Sequence, residues 1–314
     1  MLAPIVLFGF NRPQSLRSCI ESLQKNALAR ESELFIFVDG ARQGKEGEAE
    51  KVHATQEIAK SATGFKSVAC EFSKENKGLA NSIIGGISQV AEKHGRAIAL
   101  EDDLVFAPNF LEFINQGLEK YESEQKVFSV CGYGLKVKAP KDYKYDSYFC
   151  TRGNSWGWAT WKDRWQSVNW NVDIESCQKH GKDFNKWGGT DCCKLLKDML
   201  NKKNDSWWIR FCFSQFLQNK LSLFPIASKV KNIGFDYDGT HTKSKYNRFK
   251  IDFDKNGKMN FLFLEDIELD RLLWKSAMKY HSIPIRLWSR LMYLPDSLFY
   301  RINYPKELNN EFQY

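Results

Sequence analysis

Residues 97–110 read AIALEDDLVFAPNF, and this stretch decides the fold. The run of residues 97–100 is short and continuously apolar, which is typical of a strand buried on both faces of a parallel sheet. Three carboxylates follow directly, Glu101, Asp102 and Asp103. A buried strand does not carry such charge unless a cation meets it at its end. We therefore place the three acids at the carboxyl end of a strand, the edge where open α/β sheets bind ligands.

Two interpretations of these acids are open. Mg²⁺ and Mn²⁺ take carboxylate oxygens and usually share them with substrate phosphates, so the acids can hold a metal that binds a diphosphate. They can also form an acidic loop that favours the N-terminus of the helix predicted from Phe110 onward. If the strand alternation continues, Glu101 and Asp103 point one way and Asp102 points away from them.

The first half of the chain alternates strand-like apolar runs with helical patterns. The strand-like runs cover residues 4–10, 34–38, 67–72 and 97–100. This alternation predicts an α/β fold with a doubly wound sheet and right-handed crossovers. Arg12, Asp39 and Lys77 each follow a strand, so we expect them at the same edge as the acids. Asp39 also fits a simple Asp-Gly turn, and Lys77 also fits a solvated surface charge.

The composition narrows the class of protein. The chain has 314 residues, of which 43% are hydrophobic and 14% aromatic, so it is not a disordered chain. Its net charge of +8 suits anionic partners, but the basic residues are spread along the chain, which argues against nucleic acid. No GxGxxG or GxxxxGK[ST] motif is present, so Rossmann dinucleotide and P-loop sites lose their usual support.

The eight cysteines and the N-terminus bear on location. No two cysteines form a CxxC pair, and several lie in apolar runs, so we predict buried reduced thiols and a cytoplasmic protein. The N-terminus lacks the basic region of a signal peptide, and no apolar stretch reaches the roughly 18 residues of a spanning helix. We therefore expect no transmembrane segment, with peripheral binding to the inner face of the membrane as an additional expectation.

The second half contains three further candidate segments. Residues 152–161 read RGNSWGWATW, where glycines let a ligand approach the backbone and indoles offer flat faces for sugars. An aromatic core explains most of these tryptophans equally well. Residues 204–210, NDSWWIR, place Asp205 where it can cap a helix. Residues 238–242, DGTHT, carry His241, which is either a metal ligand or part of a polar surface loop.

The C-terminal segment 283–294 reads IPIRLWSRLMYL. Arginines beside tryptophan, tyrosine and leucine are typical of a helix that lies on an anionic membrane. Packing against the rest of the chain, or against a second subunit, explains the same pattern.

Two parts of the chain resemble a known family. LEDDLVFAPNFLEFI, residues 100–114, resembles the metal-binding region of the N-acetylglucosaminyltransferase I family, inverting glycosyltransferases of GT-A fold whose DxD variant reads EDD. PIVLFGFNRP at residues 4–13 and VDG at residues 38–40 are similar to the nucleotide-binding start of that superfamily. The resemblance runs, with gaps, from residue 3 to about residue 245.

The resemblance implies a domain organisation. It implies a GT-A, Rossmann-like catalytic domain over residues 1–245, with a mixed, mostly parallel sheet flanked by helices. Residues 1–134 would form the nucleotide-sugar-binding half and residues 135–245 the acceptor half. Residues 246–314 would form a C-terminal helical extension.

The resemblance also implies site residues. It assigns Asp103 and His241 to a Mn²⁺ or Mg²⁺ ion, and Asp205 to the catalytic base, because its segment is similar to a WDDW stretch in the family. An inverting transfer needs one carboxylate to take the proton of the acceptor hydroxyl. The residues assigned to the nucleotide-sugar are Phe10, Asn11, Arg12, Asp39, Lys77, Glu101, Asp102, Gly157 and Trp158.

These features predict a metal-dependent hexosyltransferase of bacterial polysaccharide synthesis. It would move a sugar from a nucleotide-sugar, with UDP favoured, to a hydroxyl of a glycan or lipid-linked acceptor with inversion. One alternative is a sugar nucleotidyltransferase, although no glycine-rich, lysine-containing phosphate loop lies near the N-terminus. The other is a non-enzymatic, basic membrane-associated binding protein, for which the EDD acids would be dispensable.

Overall fold

The computed structural model describes residues 1–234 and 248–292. Ten strands lie in these residues: β1 Ile5–Gly9, β2 Glu33–Val38, β3 Ser67–Phe72, β4 Arg96–Glu101, β5 Leu104–Phe106, β6 Val127–Cys131, β7 Ser147–Cys150, β8 Trp158–Trp161, β9 Leu221–Pro225 and β10 Val230–Asn232. The α-helices with full bounds are α1 Pro13–Leu23, α2 Glu48–Lys60, α3 Leu79–His94, α4 Phe110–Lys120, α5 Lys162–Gln166, α6 Ile174–Gly188, α7 Cys192–Leu200, α8 Trp207–Leu217 and α9 Arg271–Met278.

Eight strands form one mixed sheet in the order β3-β2-β1-β4-β8-β6-β9-β7. The first four strands are mutually parallel and β6 pairs in parallel with β9, whereas β8 and β7 pair antiparallel with their neighbours. Strands β5 and β10 form a separate antiparallel pair. The predicted fold class is confirmed: it is α/β, with a mixed, mostly parallel sheet flanked by helices.

The sequence accounts for the central strands. In β1, Ile5, Val6 and Leu7 are all fully buried, because both faces of the sheet are covered. Helix α1 buries Leu16, Cys19, Ile20 and Leu23 on one face, as their spacing predicts. All eight cysteines are free, so the prediction of thiols is confirmed, although Cys70 is exposed and Cys193 half-buried.

A smaller helical core lies beside the sheet. Helices α6, α7 and α8 enclose it, with Phe184, Leu196 and Phe213 among its buried residues. The loop that follows β7 contacts this core and the sheet, because Arg152 donates to Asp191 before α7 and a Cβ at Gly153 would lie beside Trp208 of α8 and Ser222 of β9.

The region after residue 247 begins with a segment that has little regular structure. Residues 248–270 are irregular apart from a parallel bridge between Ser228 and Phe253, and α9 begins at Arg271. Asp270 sets this start, because its carboxylate accepts hydrogen bonds from the N–H groups of Leu272 at 2.8 Å and Leu273 at 3.0 Å. Residues 283–292 are again helical. Within the described ranges, no helix is both long and apolar enough to cross a membrane.

Candidate active site

A cavity of about 430 Å³ opens at the carboxyl ends of β1, β2 and β4. This is the edge at which parallel α/β sheets bind ligands, and the volume lies within the range of about 300–1,000 Å³ of small-molecule sites. The structure brings eight of the residues selected from the sequence to this cavity: Phe10, Asn11, Arg12, Asp39, Glu101, Asp102, Asp103 and Asp205.

Arg12 joins the acids to the end of β1. Its guanidinium contacts Asp102 through Nη2, and its Nη1 donates to Asp103 Oδ2 at 3.3 Å. The expectation that Asp102 points away from Asp103 is therefore wrong. Strand β4 ends at Glu101 and the next two residues form a turn, so strand alternation does not continue through them.

The three acids have too little positive charge around them for all of them to ionise readily. Burial raises the pKa of Glu101 to about 8, and the carboxylates of Asp103 and Asp102 add to this rise. Burial also raises the pKa of Asp102 to about 7, although Arg12 opposes that shift. One guanidinium thus faces three carboxyl groups, and a further cation would stabilise their charged forms.

The residues fit a divalent cation that is shared with a ligand. Asp103 Oδ1 is buried and has no hydrogen-bond partner among the described residues, so it is a candidate oxygen ligand. In the described part of the chain, no three His, Cys, Asp or Glu side chains are arranged to hold a metal by themselves. Mg²⁺ commonly uses only one or two carboxylates together with waters and substrate phosphates, which agrees with this arrangement.

The strand pair β5–β10 closes one side of the acidic turn. The N–H of Ile233 donates to the carbonyl oxygen of Asp103 at 2.8 Å. Gly234 follows, and a Cβ at that residue would lie 2.3 Å from Asp103 Oδ2. A larger residue at position 234 would therefore require the Asp103 carboxylate to shift.

Asp39 accepts hydrogen bonds from the loop of residues 76–78, which precedes α3. Its Oδ1 accepts from the N–H groups of Gly40 and Lys77, each at 2.9 Å, and its Oδ2 accepts from the N–H of Gly78 at 2.9 Å and from Asn76 at 3.2 Å. An ionised carboxylate has about four acceptor positions, so these four donors use its full capacity. Asp39 lines the cavity and also has a structural role that the Asp-Gly turn alone did not predict.

Glu48 organises a second polar group at the cavity. Its carboxylate accepts from the backbone N–H of Arg42 at 2.8 Å and from Asn11 Nδ2 at 3.2 Å. The hydrogen bond from the Arg42 side chain lowers the pKa of Glu48. The Arg42 guanidinium also lies 5.6 Å from the centre of the Phe10 ring. An aromatic ring and a planar cation at one wall offer stacking surfaces for a base.

Asp205 reaches the cavity from the helical core. Its side chain is 62% exposed, and its Oδ1 lies 3.6 Å from Arg210 Nη2. It does not cap α8, because the cap is Ser206, whose hydroxyl accepts from the N–H of Ile209 at 3.3 Å. Asp205 is therefore a carboxylate at the cavity wall that the helix does not require for its cap.

Three candidates do not line this cavity. Lys77 contributes its backbone N–H to Asp39, as described above. Trp158 is 1% exposed in β8 and packs in the core on Trp207 at a ring distance of 5.4 Å. Gly157 has a φ of +66° and passes close to Val230, so its conformation is a packing requirement. His241 lies outside the described residues.

Sequence reasoning missed several lining residues, namely Arg42, Asn76, Ser82, Trp156 and Asn232. Trp156 stands in the quoted tryptophan segment, and Asn76 in a loop between a predicted strand and helix, so both positions carried a weak signal. Arg42, Ser82 and Asn232 lie in no recognisable motif, so the sequence offered no reason to select them.

The sequence comparison confirms the resemblance to N-acetylglucosaminyltransferase I. The chain is 22% identical over 261 residues to alpha-1,3-mannosyl-glycoprotein 2-beta-N-acetylglucosaminyltransferase of Arabidopsis thaliana, a match that covers 77% of the chain. It spans 56% of the length of that relative. No protein-family model matches the sequence.

Solved glycosyltransferase structures are distant neighbours. The mannosyltransferase PcManGT of Pyrobaculum calidifontis, in complex with GDP-Man and Mn²⁺, is 11% identical with a TM-score of 0.36, and the match covers 52% of this chain and 46% of that one. TarS of S. aureus, residues 1–349, is 7% identical with a TM-score of 0.40, over 75% of this chain and 61% of that one. TM-scores this low do not by themselves establish a common fold.

Proposed function

We propose that the chain is a metal-dependent glycosyltransferase that moves a sugar from a nucleotide-sugar to a hydroxyl of a glycan or lipid-linked acceptor. The observation that carries this proposal is the acidic turn of Asp102 and Asp103, bridged by Arg12 at the edge of a cavity of about 430 Å³. The similarity to an N-acetylglucosaminyltransferase supports it.

Asp103 would hold the cation, with Asp102 and Glu101 adding negative charge beside it. A divalent cation at this position supplies Lewis-acid stabilisation of the leaving nucleoside diphosphate. Arg12 balances Asp102 and Asp103 and keeps both carboxylates at the cavity edge. The unpartnered Oδ1 of Asp103 supports its assignment.

The nucleotide would lie against Phe10 and Arg42. Phe10 and Arg42 provide stacking surfaces, and Asn11 is held beside them by Glu48. Asp39 would act chiefly by fixing the loop of residues 76–78, because its oxygens already accept four hydrogen bonds. We favour UDP as the nucleotide, by resemblance to the family.

Asp205 would accept the proton of the acceptor hydroxyl as that oxygen attacks the sugar. A general base must reach the hydroxyl whose proton it accepts. The exposed carboxylate of Asp205 lies at the cavity wall and meets this requirement. Attack from the face opposite to the leaving group gives inversion.

We also propose that residues 1–134 bind the nucleotide-sugar and that residues 135–245 bind the acceptor. Most residues at the cavity come from residues 1–134, whereas Trp156, Asp205, Asn232 and Gly234 come from residues 135–245. That distribution supports a donor half and an acceptor half that share one sheet. The extension from residue 246 and the cytoplasmic location remain predictions.

Nucleotide-dependent thermal stabilisation tests the donor site. UDP, GDP, CDP and dTDP are added separately to the purified chain, with and without Mn²⁺, and the melting temperature is measured. A ligand that binds only the folded state raises this temperature by mass action. We expect a Mn²⁺-dependent rise with UDP that is lost in Asp103→Ala, and sugar transfer from a matching nucleotide-sugar that is lost with it.

A control variant tests whether removing any carboxylate, rather than Asp103 in particular, abolishes nucleotide binding. Asp183 is a 68% exposed carboxylate on α6, paired only loosely with Lys186 at 3.4 Å. Asp183→Ala should retain both the nucleotide response and the transfer activity. If no nucleotide stabilises the wild-type chain in the presence of Mn²⁺ or Mg²⁺, the transferase proposal is wrong.

We propose that the helix of residues 283–292 contacts an anionic membrane. Ile283, Leu287, Trp288 and Leu291 are 52–58% exposed, and the helix also carries the exposed Arg290. Exposed apolar side chains beside a cation suit an anionic lipid surface. The double change Leu287→Ser and Trp288→Ser should reduce flotation with phosphatidylglycerol vesicles, while Leu217→Ser, an exposed leucine on α8, should not. Equal flotation of all variants would contradict the contact.

A further inference from the structure

A second, smaller cavity adjoins the donor cavity and shares Trp156 with it. It has a volume of about 190 Å³ and lies between β7, the loop of residues 152–156 and the segment that ends at His281. This volume is below the range of about 300–1,000 Å³ typical of complete small-molecule sites. The cavity therefore suits one substituent of a ligand whose remainder lies toward Trp156.

Two buried polar groups at this cavity lack a partner. Tyr148 is 1% exposed, and its hydroxyl makes no hydrogen bond with any described residue. His281 Nδ1 is also buried without a hydrogen bond in the described ranges, and it lies 3.9 Å from Asp191 Oδ2. Buried polar atoms are normally satisfied, so two such atoms beside one cavity indicate a polar ligand.

Arg152 presents charge to the same cavity. Its Nη1 donates to Asp191 Oδ1 at 2.7 Å and to the carbonyl oxygen of Gly188 at 3.0 Å, which fixes the guanidinium in place. The remaining guanidinium nitrogens have no hydrogen-bond partner among residues 1–234 and 248–292. A fixed guanidinium with unused donors is suited to a carboxylate or a phosphate.

The surroundings hold more positive than negative charge. Burial lowers the pKa of His281, and the neighbouring Arg152, Arg248 and Arg286 lower it further, whereas Asp191 raises it. Asp191 is already paired with Arg152, which leaves the positive charge of Arg248 and Arg286 in excess. The Arg286 guanidinium donates to the neutral hydroxyl of Thr190 at 3.0 Å, so that contact does not neutralise it.

We infer that this smaller cavity binds an anionic substituent of the acceptor, either a carboxylate or a phosphate. Arg152 and the Tyr148 hydroxyl would donate hydrogen bonds to it, and Arg248 and Arg286 would supply the favourable field. The inference rests on the proposed function, because it takes the adjoining cavity as the donor site. The ring that carries the anionic group would then lie against Trp156.

Titration with three simple probes tests this inference. Inorganic phosphate, D-glucuronate and neutral D-glucose are titrated into the purified chain at constant ionic strength, and binding is measured by calorimetry. We expect one or both anions to bind at least about tenfold more tightly than glucose, a difference of about 1.4 kcal/mol. Phosphate binding indicates a phosphorylated acceptor, and glucuronate binding indicates an acidic sugar.

The variant Tyr148→Phe removes only a hydroxyl that has no partner in the protein, so it should not lower the melting temperature. It should weaken anion binding about fivefold, and Arg248→Gln should weaken it similarly. Tyr145→Phe, a tyrosine outside the cavity, should bind like the wild type. All three variants should retain the rise in melting temperature with nucleotide and Mn²⁺. If the wild type itself lacks this rise, the proposed donor site is contradicted instead.

Anion binding no tighter than glucose binding would overturn the inference. Equal binding by Tyr148→Phe and the wild type would also overturn it, because the anion would then lie elsewhere.

Discussion

The carboxylate of Asp39 accepts a hydrogen bond from the backbone N–H of Lys77 at 2.9 Å. The same carboxylate accepts from the N–H of Gly78, so an acid at the end of β2 fixes the loop that leads into α3. Gly78 and the neighbouring Asn76 line the larger cavity. The shape of this cavity wall, where we propose that the nucleotide binds, therefore depends on Asp39.

Asp39→Asn should lower both stability and nucleotide affinity. An amide nitrogen in place of Oδ2 cannot accept from Gly78 and Asn76, and the loss of these partly buried hydrogen bonds should cost about 1 kcal/mol. Urea denaturation measures the first effect and UDP titration the second. Asp142→Asn, which changes an exposed carboxylate, should leave both unchanged. An Asp39→Asn chain with wild-type stability would show that the loop does not depend on these bonds.

Arg12 and Asp102 should be strongly coupled in a double-mutant cycle. The Asp102 side chain is 3% exposed and contacts Arg12, so Arg12→Met removes the cation that opposes the rise in the pKa of Asp102, and the carboxyl group then binds a proton at neutral pH. Arg12→Met and Asp102→Asn therefore remove the same ion pair, and each should lower the free energy of unfolding. The free energies of unfolding of the single and double variants give the coupling, which should exceed about 1 kcal/mol. Additive effects would show that the contact contributes little.

Gly234→Ala should disturb the metal ligand without unfolding the chain. The added Cβ would lie 2.3 Å from Asp103 Oδ2, so the carboxylate must move away from its position beside Arg12. We expect Mn²⁺-dependent UDP binding to weaken about tenfold, which is about 1.4 kcal/mol. Gly85→Ala is the matched control, because a Cβ at Gly85 in α3 meets nothing within 4 Å. Equal UDP affinity in Gly234→Ala and the wild type would remove Asp103 from the metal-binding role.

The sequence predicted the parts of the site that follow strands. Arg12, Asp39 and Asp103 each come directly after a buried apolar run, and parallel strands bring their carboxyl ends to one edge. A local pattern together with one rule of sheet topology was therefore enough to place them in the same cavity.

Residues placed by loops and long-range packing could not be predicted in this way. Trp156 and Trp158 are two positions apart, yet the first lines both cavities and the second lies in the core, because β8 begins at Trp158. Arg152 meets Asp191 from 39 positions away, through a contact that joins β7 to the start of α7. Neither outcome follows from periodicity, since both depend on how the helical core packs against the sheet.

The ion pair of Asp191 and Arg152 predicts acid sensitivity. Burial alone would raise the pKa of Asp191, but Arg152 and His281 lower it from 3.8 to about 2. A carboxyl group with a depressed pKa stabilises the fold above its unfolded pKa of about 3.9 and loses that contribution as pH falls toward 2. The contribution is about 2 kcal/mol at neutral pH.

Asp191→Asn tests this dependence. The difference in free energy of unfolding between the wild type and this variant should stay constant above about pH 5 and shrink between about pH 4 and pH 2. Denaturant titrations across that range measure it, with Asp183→Asn on the exposed face of α6 as the control. A difference that does not change with pH would mean that Asp191 keeps an ordinary pKa.

Asp205 and Ser206 are neighbours with separable roles. Asp205→Asn should leave Mn²⁺-dependent nucleotide binding and stability unchanged but lower turnover about 10²–10⁴-fold, because an amide cannot accept the proton of the acceptor hydroxyl. Ser206→Ala should do the opposite. It removes the cap that accepts from the N–H of Ile209, so it should lower stability by about 1 kcal/mol while turnover persists. Steady-state turnover and urea denaturation of both variants distinguish these outcomes. If Asp205→Asn retains full turnover, the base is a different group and the inverting mechanism assigned to Asp205 is wrong.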